Sequence, residues 1–447
     1  MKNKKFNYRP FVLSALFAGL TTSAAETNVK NISYGDEEYT VEERWTNNTA
    51  MTNFAMQSGD SFWGSPNFFF VKDGMIYITK DNIDTDCGRL IVVDGNTGSF
   101  LKTVTIDWNS YTPNESAATV FAGVDSEGTC YLASYATSTY NGYPFVIYPL
   151  EISEAGIPVV QNQYNLTLGT KWWVQAPDVY GSLTSGNFTV AAPIWNLMDA
   201  TDDKKLETCL AVWTVTDGKE TSRKSYDAKL TQCDVKILDD NLIALHDRHL
   251  VSTSTASSVN AQHMNNAIAP HPTIYTIDDN NLSMISAVEA AAEDDPYGNG
   301  MYFFNFDGGN YLMAYASSGF TPEFKLMAVP DYPQSFNGAE ALCTLADKTA
   351  KLSTDKPDGS FMRTKVVVEK TSDNSADIYM AAHGKGMACY TIKREGSIST
   401  GIESIVDLDN VPAEYYSITG VKLQSPPAHG FYIIRQGNKA IKAFAQP

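Results

Sequence analysis

The sequence predicts an all-β fold, and three observations support that class. First, two strand–turn–strand patterns around Asp73-Gly74 and Asp94-Gly95 form a meander of about forty residues. Second, the first of these hairpins recurs five more times along the chain. Third, no long stretch shows the periodicity of an amphipathic helix. The six hairpin turns centre near Asp73, Glu127, Gly186, Asp240, Gly308 and Asn374.

Each hairpin is followed by a third strand pattern, and the first five units also carry a fourth. The sixth unit ends after MACYTIKREG and lacks its fourth strand, whereas an unpaired strand pattern, EYTVEERWT, precedes the first unit. A ring of sheets would join these two, because pairing of the chain ends closes such a ring. We therefore predict a six-bladed β-propeller closed by an N-terminal strand at residues 38–45. A seventh blade in an irregular segment and a pair of stacked β-sandwiches are the alternatives.

The N-terminus carries the pattern of a secretory signal peptide, which we assign to residues 1–25. Basic residues precede an apolar run from Phe11 to Leu20, and Ser23-Ala24-Ala25 supplies the small residues typical of a cleavage site. The run is too short to span a bilayer, and no later stretch approaches that length. We expect an exported chain with no transmembrane span, located in the periplasm, at the cell surface or outside the cell.

Composition limits the classes of partner and cofactor. A net charge of -18 disfavours nucleic acid, because its phosphates would be repelled. The six cysteines include no C-x-x-C pair, and several lie in apolar strand patterns, so we expect buried free thiols and no structural zinc. No G-x-S-x-G elbow, P-loop or dinucleotide fingerprint occurs. We expect no cofactor and no metal.

The last part of the chain forms a separate pattern. The predicted propeller covers residues 26–394, a small polar linker covers 395–402, and a β-rich domain covers 403–447. Within this tail, Tyr415 to Ile418 is a strand pattern, Thr419-Gly420 is a turn, and two further strands follow a Pro-Pro interruption. The pattern predicts a small meander or sandwich of about 45 residues, folded apart from the ring.

The tail resembles the C-terminal sorting-type (type IX-like) domain of exported Bacteroidetes proteins. The matching residues are Tyr416, Gly420, Lys422, Gly430, Tyr432, Ile433, Gly437 and Lys439. Ser417 stands where that family usually has Asn or Asp, and Ile418 replaces Leu. In that family the tail directs export through an outer-membrane route, or persists where the route is absent. The resemblance implies export machinery as a partner of residues 403–447 and implies no activity; a capping domain without an address is the alternative. The ring resembles secreted propellers of the same bacteria in a general way.

Tryptophans suggest a ligand-binding face. Loops that join strands two and three share one propeller face with loops that join consecutive blades, and five of the seven tryptophans fall in such predicted loops. Aromatic rings stack on the apolar faces of sugars, so this face is a candidate glycan site. Packing between blades is the alternative for each ring. The predicted ligand-binding residues are Trp63, Trp108, Trp172, Trp173 and Trp195.

Two functional hypotheses follow. The first is an exported binding or surface-scaffold protein that recognises a glycan or a surface protein through one propeller face. The second is a carbohydrate-active propeller enzyme, a glycoside hydrolase or lyase, which would need a pair of carboxyl groups. The acidic stretch Glu293 to Asp295, the calcium-like DNIDTDCG and the histidines His246, His249, His263 and His271 are better explained as solvated loops or turns.

Overall fold

The computed structural model describes residues 29–47, 69–79, 88–111, 119–134, 144–169, 172–174, 176–196, 207–228, 230, 233–247, 269, 271–279, 281–289, 300–318, 323–346, 364–382, 386–395, 414–417, 421–427, 430–436 and 439–445. All regular elements in these ranges are β-strands. None of the described segments forms an apolar helix of the length that a membrane span requires.

The first three sheets are antiparallel and follow one another along the chain. The first sheet comprises β3 (Phe69–Lys72), β4 (Met75–Thr79), β5 (Arg89–Asp94) and β6 (Phe100–Thr105). The second comprises β7 (Thr119–Val124), β8 (Cys130–Ser134), β9 (Phe145–Ile152), β10 (Pro158–Val160) and β11 (Tyr164–Leu166). The third comprises β12 (Trp172–Val174), β13 (Asp178–Ser182), β14 (Asn187–Asn196), β15 (Glu207–Thr216) and β16 (Lys219–Asp227).

Three further sheets repeat the arrangement before the tail. The fourth comprises β17 (Asp234–Asp239), β18 (Leu242–His246), β19 (Thr273–Ile277) and β20 (Leu282–Ala287). The fifth comprises β21 (Met301–Asn305), β22 (Tyr311–Ser318), β23 (Glu323–Ala328) and β24 (Glu340–Thr344). The sixth comprises β25 (Thr364–Ser372), β26 (Ser375–Ala382) and β27 (Gly386–Glu395), together with β2 (Glu37–Asn47) and β1 (Val29–Tyr34).

The tail forms a sheet of its own. Its strands are β28 (Glu414–Ser417), β29 (Lys422–Leu423), β30 (Gly430–Gln436) and β31 (Lys439–Ala445), in the spatial order β29-β28-β30-β31. The predicted domain boundaries and the sorting role of this segment stay predictions.

The N-terminal strand completes the last sheet. β2 pairs antiparallel with β27, from Glu38 opposite Glu395 to Asn47 opposite Met387, and β1 adds a fifth strand outside it. This is the arrangement that the leftover N-terminal pattern and the missing fourth strand predict. The sixth sheet therefore unites chain segments separated by more than three hundred residues.

β2 also bonds to the first sheet, through side chains near its end. Arg44 Nη2 donates to Asn96 Oδ1 (2.9 Å), Trp45 Nε1 to the Gly95 carbonyl (2.8 Å) and Asn47 Nδ2 to the Gly98 carbonyl (2.9 Å). Gly98 has a φ of +67°, and a Cβ there would lie 2.5 Å from the Trp45 ring, so glycine is required at this approach. One strand thus belongs to the sixth sheet and holds the turn of the first.

Six strands, the first strand of each repeated hairpin, form a closed circuit around one axis: β3, β7, β13, β17, β21 and β25. β13 contacts β17, β17 contacts β21, β21 contacts β25, β25 contacts β3, and β3 contacts β7. Between the second and third sheets, Asp125 Oδ2 accepts a hydrogen bond from Leu183 N (2.9 Å) and Ser126 Oγ accepts one from Gly181 N (2.8 Å). The structure therefore confirms the all-β propeller class, and no sheet for a seventh blade occurs among the described residues.

The core lies between neighbouring sheets rather than at the axis. Buried apolar side chains of the described residues form clusters that join the first three sheets, the third to the fourth, the fourth to the fifth, the fifth to the sixth, and the sixth to the first. Trp213 is the largest fully buried side chain among those described, and its ring centroid lies 5.4 Å from that of Phe145 in the second sheet. Burial between sheets makes each blade depend on both neighbours.

Near the axis, carboxylate side chains of one sheet accept hydrogen bonds from backbone N–H groups of the neighbouring sheet. Besides Asp125, Asp178 Oδ2 accepts from Ile237 N (2.8 Å) and Asp234 Oδ2 accepts from Met301 N (3.0 Å). At the ring closure, Glu369 accepts from Gly74 N at 3.2 Å. Farther from the axis, on β2, Glu37 accepts from Asn310 N of the fifth sheet at 3.0 Å. Burial opposes the charge of Glu37, but its hydrogen bonds outweigh this and lower its pKa. These contacts satisfy amide groups that no ladder pairs.

Removing residues 26–46 should destabilise the entire ring. Tyr39 and Val41 of β2 are 1% and 0% exposed, and losing a large buried apolar side chain costs about 2–5 kcal/mol. We expect a lower melting temperature and loss of the single cooperative transition. Removing residues 26–35 deletes β1, including the buried Ile32, but retains β2, so this control should lose less stability than the 26–46 deletion and keep a single cooperative transition. A 26–46 deletion that melts at the parent temperature would show that β2 does not close the ring.

Candidate functional site

The predicted tryptophan face is only partly described. Trp63 lies outside the described residues, and Trp108 lies between the first and second sheets, as predicted. Trp172, Trp173 and Trp195 do not lie in loops: the first two form β12, and Trp195 lies in β14. The sequence interpretation was wrong on this point because β14 extends to Asn196 and pairs with β12.

The contacts of these tryptophans do not test the predicted glycan-binding face, which stays a prediction. The Trp108 ring lies 5.1 Å from Tyr148 at 82°, and both Trp108 and Trp172 are half-buried against the same apolar cluster. Trp173 and Trp195 are directly opposite each other in the β12–β14 ladder. Register therefore brings two of the five predicted residues together, while two others contribute packing.

A cavity at the propeller axis is the described site with the most varied chemistry. This axial cavity measures about 640 Å³ and is lined by all six first strands or the turns that follow them. Its lip carries residues of the strand-one-to-two turns, so it opens at the face opposite to the predicted tryptophan face. Its lining residues are 71–73, 124–126, 128, 178–180, 236–238, 302–305, 311, 332 and 367–370.

Aromatic side chains of the fifth sheet form one wall of the axial cavity. Tyr311 and Tyr332 stack at 4.1 Å between ring centroids and 23° between planes, and Phe303 lies 5.1 Å from Tyr332. Tyr311, Tyr332 and Phe303 are all half-buried, so each ring keeps some accessible surface. Burial raises the pKa of Tyr332, and Tyr311 adds to this rise, so its hydroxyl remains a hydrogen-bond donor at neutral pH.

Two ion pairs lie toward the strand starts, and one of them, Asp178–Lys236, lines the inner end of the cavity. Lys236 Nζ is 2.7 Å from Asp178 Oδ1, and the same ammonium is 5.5 Å from the Tyr302 ring centroid. Lys365 Nζ of the sixth sheet is 3.2 Å from Asp234 Oδ1 of the fourth. Gly300 permits this approach, because a Cβ there would be 3.1 Å from the Cα of Lys365. The network therefore joins four sheets.

The two lysines respond differently to burial. Burial opposes the charge on Lys236, but the carboxylates of Asp178 and Asp234 outweigh it and raise the pKa of Lys236. Burial lowers the pKa of Lys365, and Lys236 adds to that effect against the attraction of Asp234. Lys236 is therefore a fixed cation, while Lys365 is the more easily deprotonated amine.

His246 lies beside this network and is not a solvated histidine. It is 1% exposed, its backbone pairs with Asp234, and its ring is 6.2 Å from Tyr315. Within the described residues its Nδ1 has no hydrogen-bond partner. Burial lowers the pKa of His246 to about 3, with His271 adding to the fall. A neutral imidazole is therefore built into the boundary between the fourth and fifth sheets.

The other sequence candidates contribute little to the described site. Outside the described residues lie His249, His263, Glu293 to Asp295 and residues 81–87 of the calcium-like turn. No three His, Cys, Asp or Glu side chains in the described ranges are grouped as metal ligands. Cys130, Cys233, Cys343 and Cys389 are free thiols.

Sequence reasoning missed the axial residues, although a signal was present. Asp234 and Lys236 stand in the strand pattern DVKILDD, and Lys365 stands in KVVVEK, where the neighbouring residues are apolar. A charged residue in a buried strand requires a partner, so each marks a polar contact. The partners could not be identified from sequence, because Lys365 and Asp234 are 131 positions apart.

Comparisons with known proteins found similar solved structures but no matching family. No protein-family model matches the chain, and no curated protein matches its sequence. The chain is similar to a DUF4623 family protein from Bacteroides eggerthii (10% identity, 83% of this chain and 82% of that one, TM-score 0.45). It is also similar to the Dos1 propeller (9% identity, 79% and 75% covered, TM-score 0.34). A third similar structure is the α-L-arabinofuranosidase Arb93A from Fusarium graminearum (12% identity, 77% and 97% covered, TM-score 0.39). Similarity at this level does not indicate an activity for this chain.

Lys236→Met should destabilise the fold through the axial ion pair. The substitution leaves Asp178 buried without its cation, which costs about 3–5 kcal/mol for buried pairs. Urea unfolding measures the change. Lys224→Met is the matched control, because Lys224 forms a 2.7 Å pair with Asp279 at the exposed outer edge and should have no measurable effect. Equal effects of the two substitutions would contradict a special role for the axial pair.

His246 should make stability fall on acidification. An unfolded histidine binds a proton near pH 6.5, whereas folded His246 remains neutral down to about pH 3. Its contribution is therefore fully present above pH 6.5 and is lost progressively as the pH falls below that value. Between pH 7.5 and pH 5.0 the loss is about 2 kcal/mol.

His246→Gln removes this titration. The variant should lose about 2 kcal/mol less than the parent over the same pH interval, measured as free energy of unfolding in urea. Parallel stability curves for the parent and His246→Gln between pH 7.5 and 5.0 would contradict a neutral buried His246.

Proposed function

We propose that this chain is an exported binding protein that recognises a glycan in its axial cavity. The observation that carries the proposal is the aromatic wall of Tyr311, Tyr332 and Phe303 within a cavity of about 640 Å³. Ligand sites are typically clefts of about 300–1,000 Å³ in which aromatic surface is combined with a few polar groups. Sugars present both an apolar ring face and hydroxyls, and this cavity offers partners for both.

The charged groups of the cavity suit binding better than catalysis. Asp125, Asp178 and Glu369 each accept a backbone N–H from the neighbouring blade. Carboxylates held in this way keep the ring together and present fixed acceptors to a ligand. The signal-peptide pattern of residues 1–25 and the resemblance of the tail to sorting-type domains support export, and we propose the export machinery as a partner of residues 403–447.

A carbohydrate-active enzyme is the second candidate, and Glu369 is the observation that favours it. Burial raises the pKa of this carboxyl, with the charges of Asp377 and Asp73 adding to the rise against the Gly74 hydrogen bond. A glycosidase requires one carboxyl that stays protonated to act as general acid. Release of sugar products by the parent and none by Glu369→Gln would establish the enzyme in place of the binding protein.

The binding proposal predicts an affinity loss on removing a cavity ring. The chain without its signal peptide is screened on a glycan array, and hits are titrated by calorimetry with product analysis. Tyr311→Leu keeps apolar bulk but removes the flat ring, so affinity should fall by about 5- to 150-fold. Phe100→Leu is the control, because Phe100 is 47% exposed on an outer strand and should bind like the parent.

Two outcomes would contradict the proposed site: one would place the ligand elsewhere, and the other would rule out glycan binding. If Trp173→Ala weakens binding and Tyr311→Leu does not, the ligand lies on the tryptophan face predicted from the sequence. If no glycan binds and no product appears, glycan recognition is wrong. Each variant is melted first, so that affinity is compared per folded molecule.

A further inference from the structure

A second cavity adjoins the axial cavity at the junction of the sixth and first sheets. This seam cavity measures about 890 Å³ and is lined by β2, by the turns of the first sheet and by the β25–β26 hairpin. Asp73, Glu369 and Lys370 line both cavities. The two spaces therefore meet at one shared lip on the same propeller face.

The two cavities differ in chemistry. The axial cavity has an aromatic wall, whereas the seam cavity is lined by charged and polar side chains and one glycine. Arg44 is fixed there by Asp377 (3.0 Å) and Asn96 (2.9 Å), and Lys393 is exposed on its rim. A polar, open surface of this kind suits the hydroxyl groups of sugar residues, with water molecules bridging the sugar and the protein.

We propose that the two cavities form one groove, and that the ligand is an extended glycan whose end occupies the axial cavity while its following residues cross the seam. This inference rests on the proposed glycan-binding function. The Asp178–Lys236 pair lies toward the strand starts, away from the lip, so it terminates the aromatic end of the groove. The lip opens toward the junction that β2 closes. The glycan therefore runs from the axis of the ring toward its outer edge.

The lip itself is held in shape. Glu369 accepts Gly74 N, and Asp73 adopts a φ of +50° in the turn beside it. A ligand crossing from one cavity to the other therefore passes over a lip at which the sixth sheet is hydrogen-bonded to the first. Lys370 is exposed there and provides a donor for a sugar hydroxyl.

Chain length tests the groove. Cellobiose, xylobiose and mannobiose are titrated against their six-residue homologues with the parent. The hexasaccharide of at least one series should bind at least about tenfold more tightly than its disaccharide. Lys393→Ala, on the seam rim, should remove most of that gain and leave disaccharide affinity unchanged. Tyr311→Leu should weaken both ligands, and Lys219→Ala, an exposed control on β16, should weaken neither.

Each remaining outcome overturns a defined statement. Equal affinity for disaccharide and hexasaccharide shows that only the axial cavity binds, so the groove is wrong while the proposed function stands. The glycan does not follow the seam if Lys393→Ala keeps the higher affinity for the hexasaccharide. The same conclusion holds if Lys393→Ala lowers the affinity for disaccharide and hexasaccharide equally. If none of these six sugars binds and the glycan array also gives no hit, the groove and the proposed recognition of a glycan fail together.

Discussion

The pairing of β2 with β27 is the interaction on which the rest of this structure depends. Each of the six sheets of the ring packs against both neighbouring sheets, so an open ring would leave apolar surface exposed at both ends. β2 prevents this by completing the sixth sheet and by bonding to the turn of the first through Arg44, Trp45 and Asn47. Closure thus gives each of the six sheets a packed neighbour on both faces.

Closure also creates the space in which we place function. Once the first strands surround the axis, their polar groups have no further ladder to join, and carboxylates such as Asp178 and Asp234 accept the amides of neighbouring blades. Lys236 and Lys365 then balance these buried charges. The same geometry leaves an axial cavity, and it places the seam beside that cavity at the junction where the ring closes.

Local sequence predicted the repeated parts of the fold and could not predict the site. All six expected turns lie between the first and second strands of their sheets, because turn chemistry such as Asp73-Gly74 is encoded by adjacent residues. Trp172, Trp173 and Trp195 were misplaced, since the length of β14 is set by pairing rather than by composition. The axial network was missed because its members come from different blades, with Lys236 and Asp178 already 58 positions apart. Contacts of this kind depend on ring geometry, which a strand pattern does not contain.

Native-state hydrogen exchange of the strands at the closure is the most direct test of this dependence. If β2 closes the ring, amides of β2 and β27 exchange only when the whole ring opens, with the same free energy and the same dependence on denaturant as those of the central strand β14. If β2 amides instead exchange much faster while β27 and β14 remain protected, the N-terminal strand is an accessory edge and the ring is held by its blades alone.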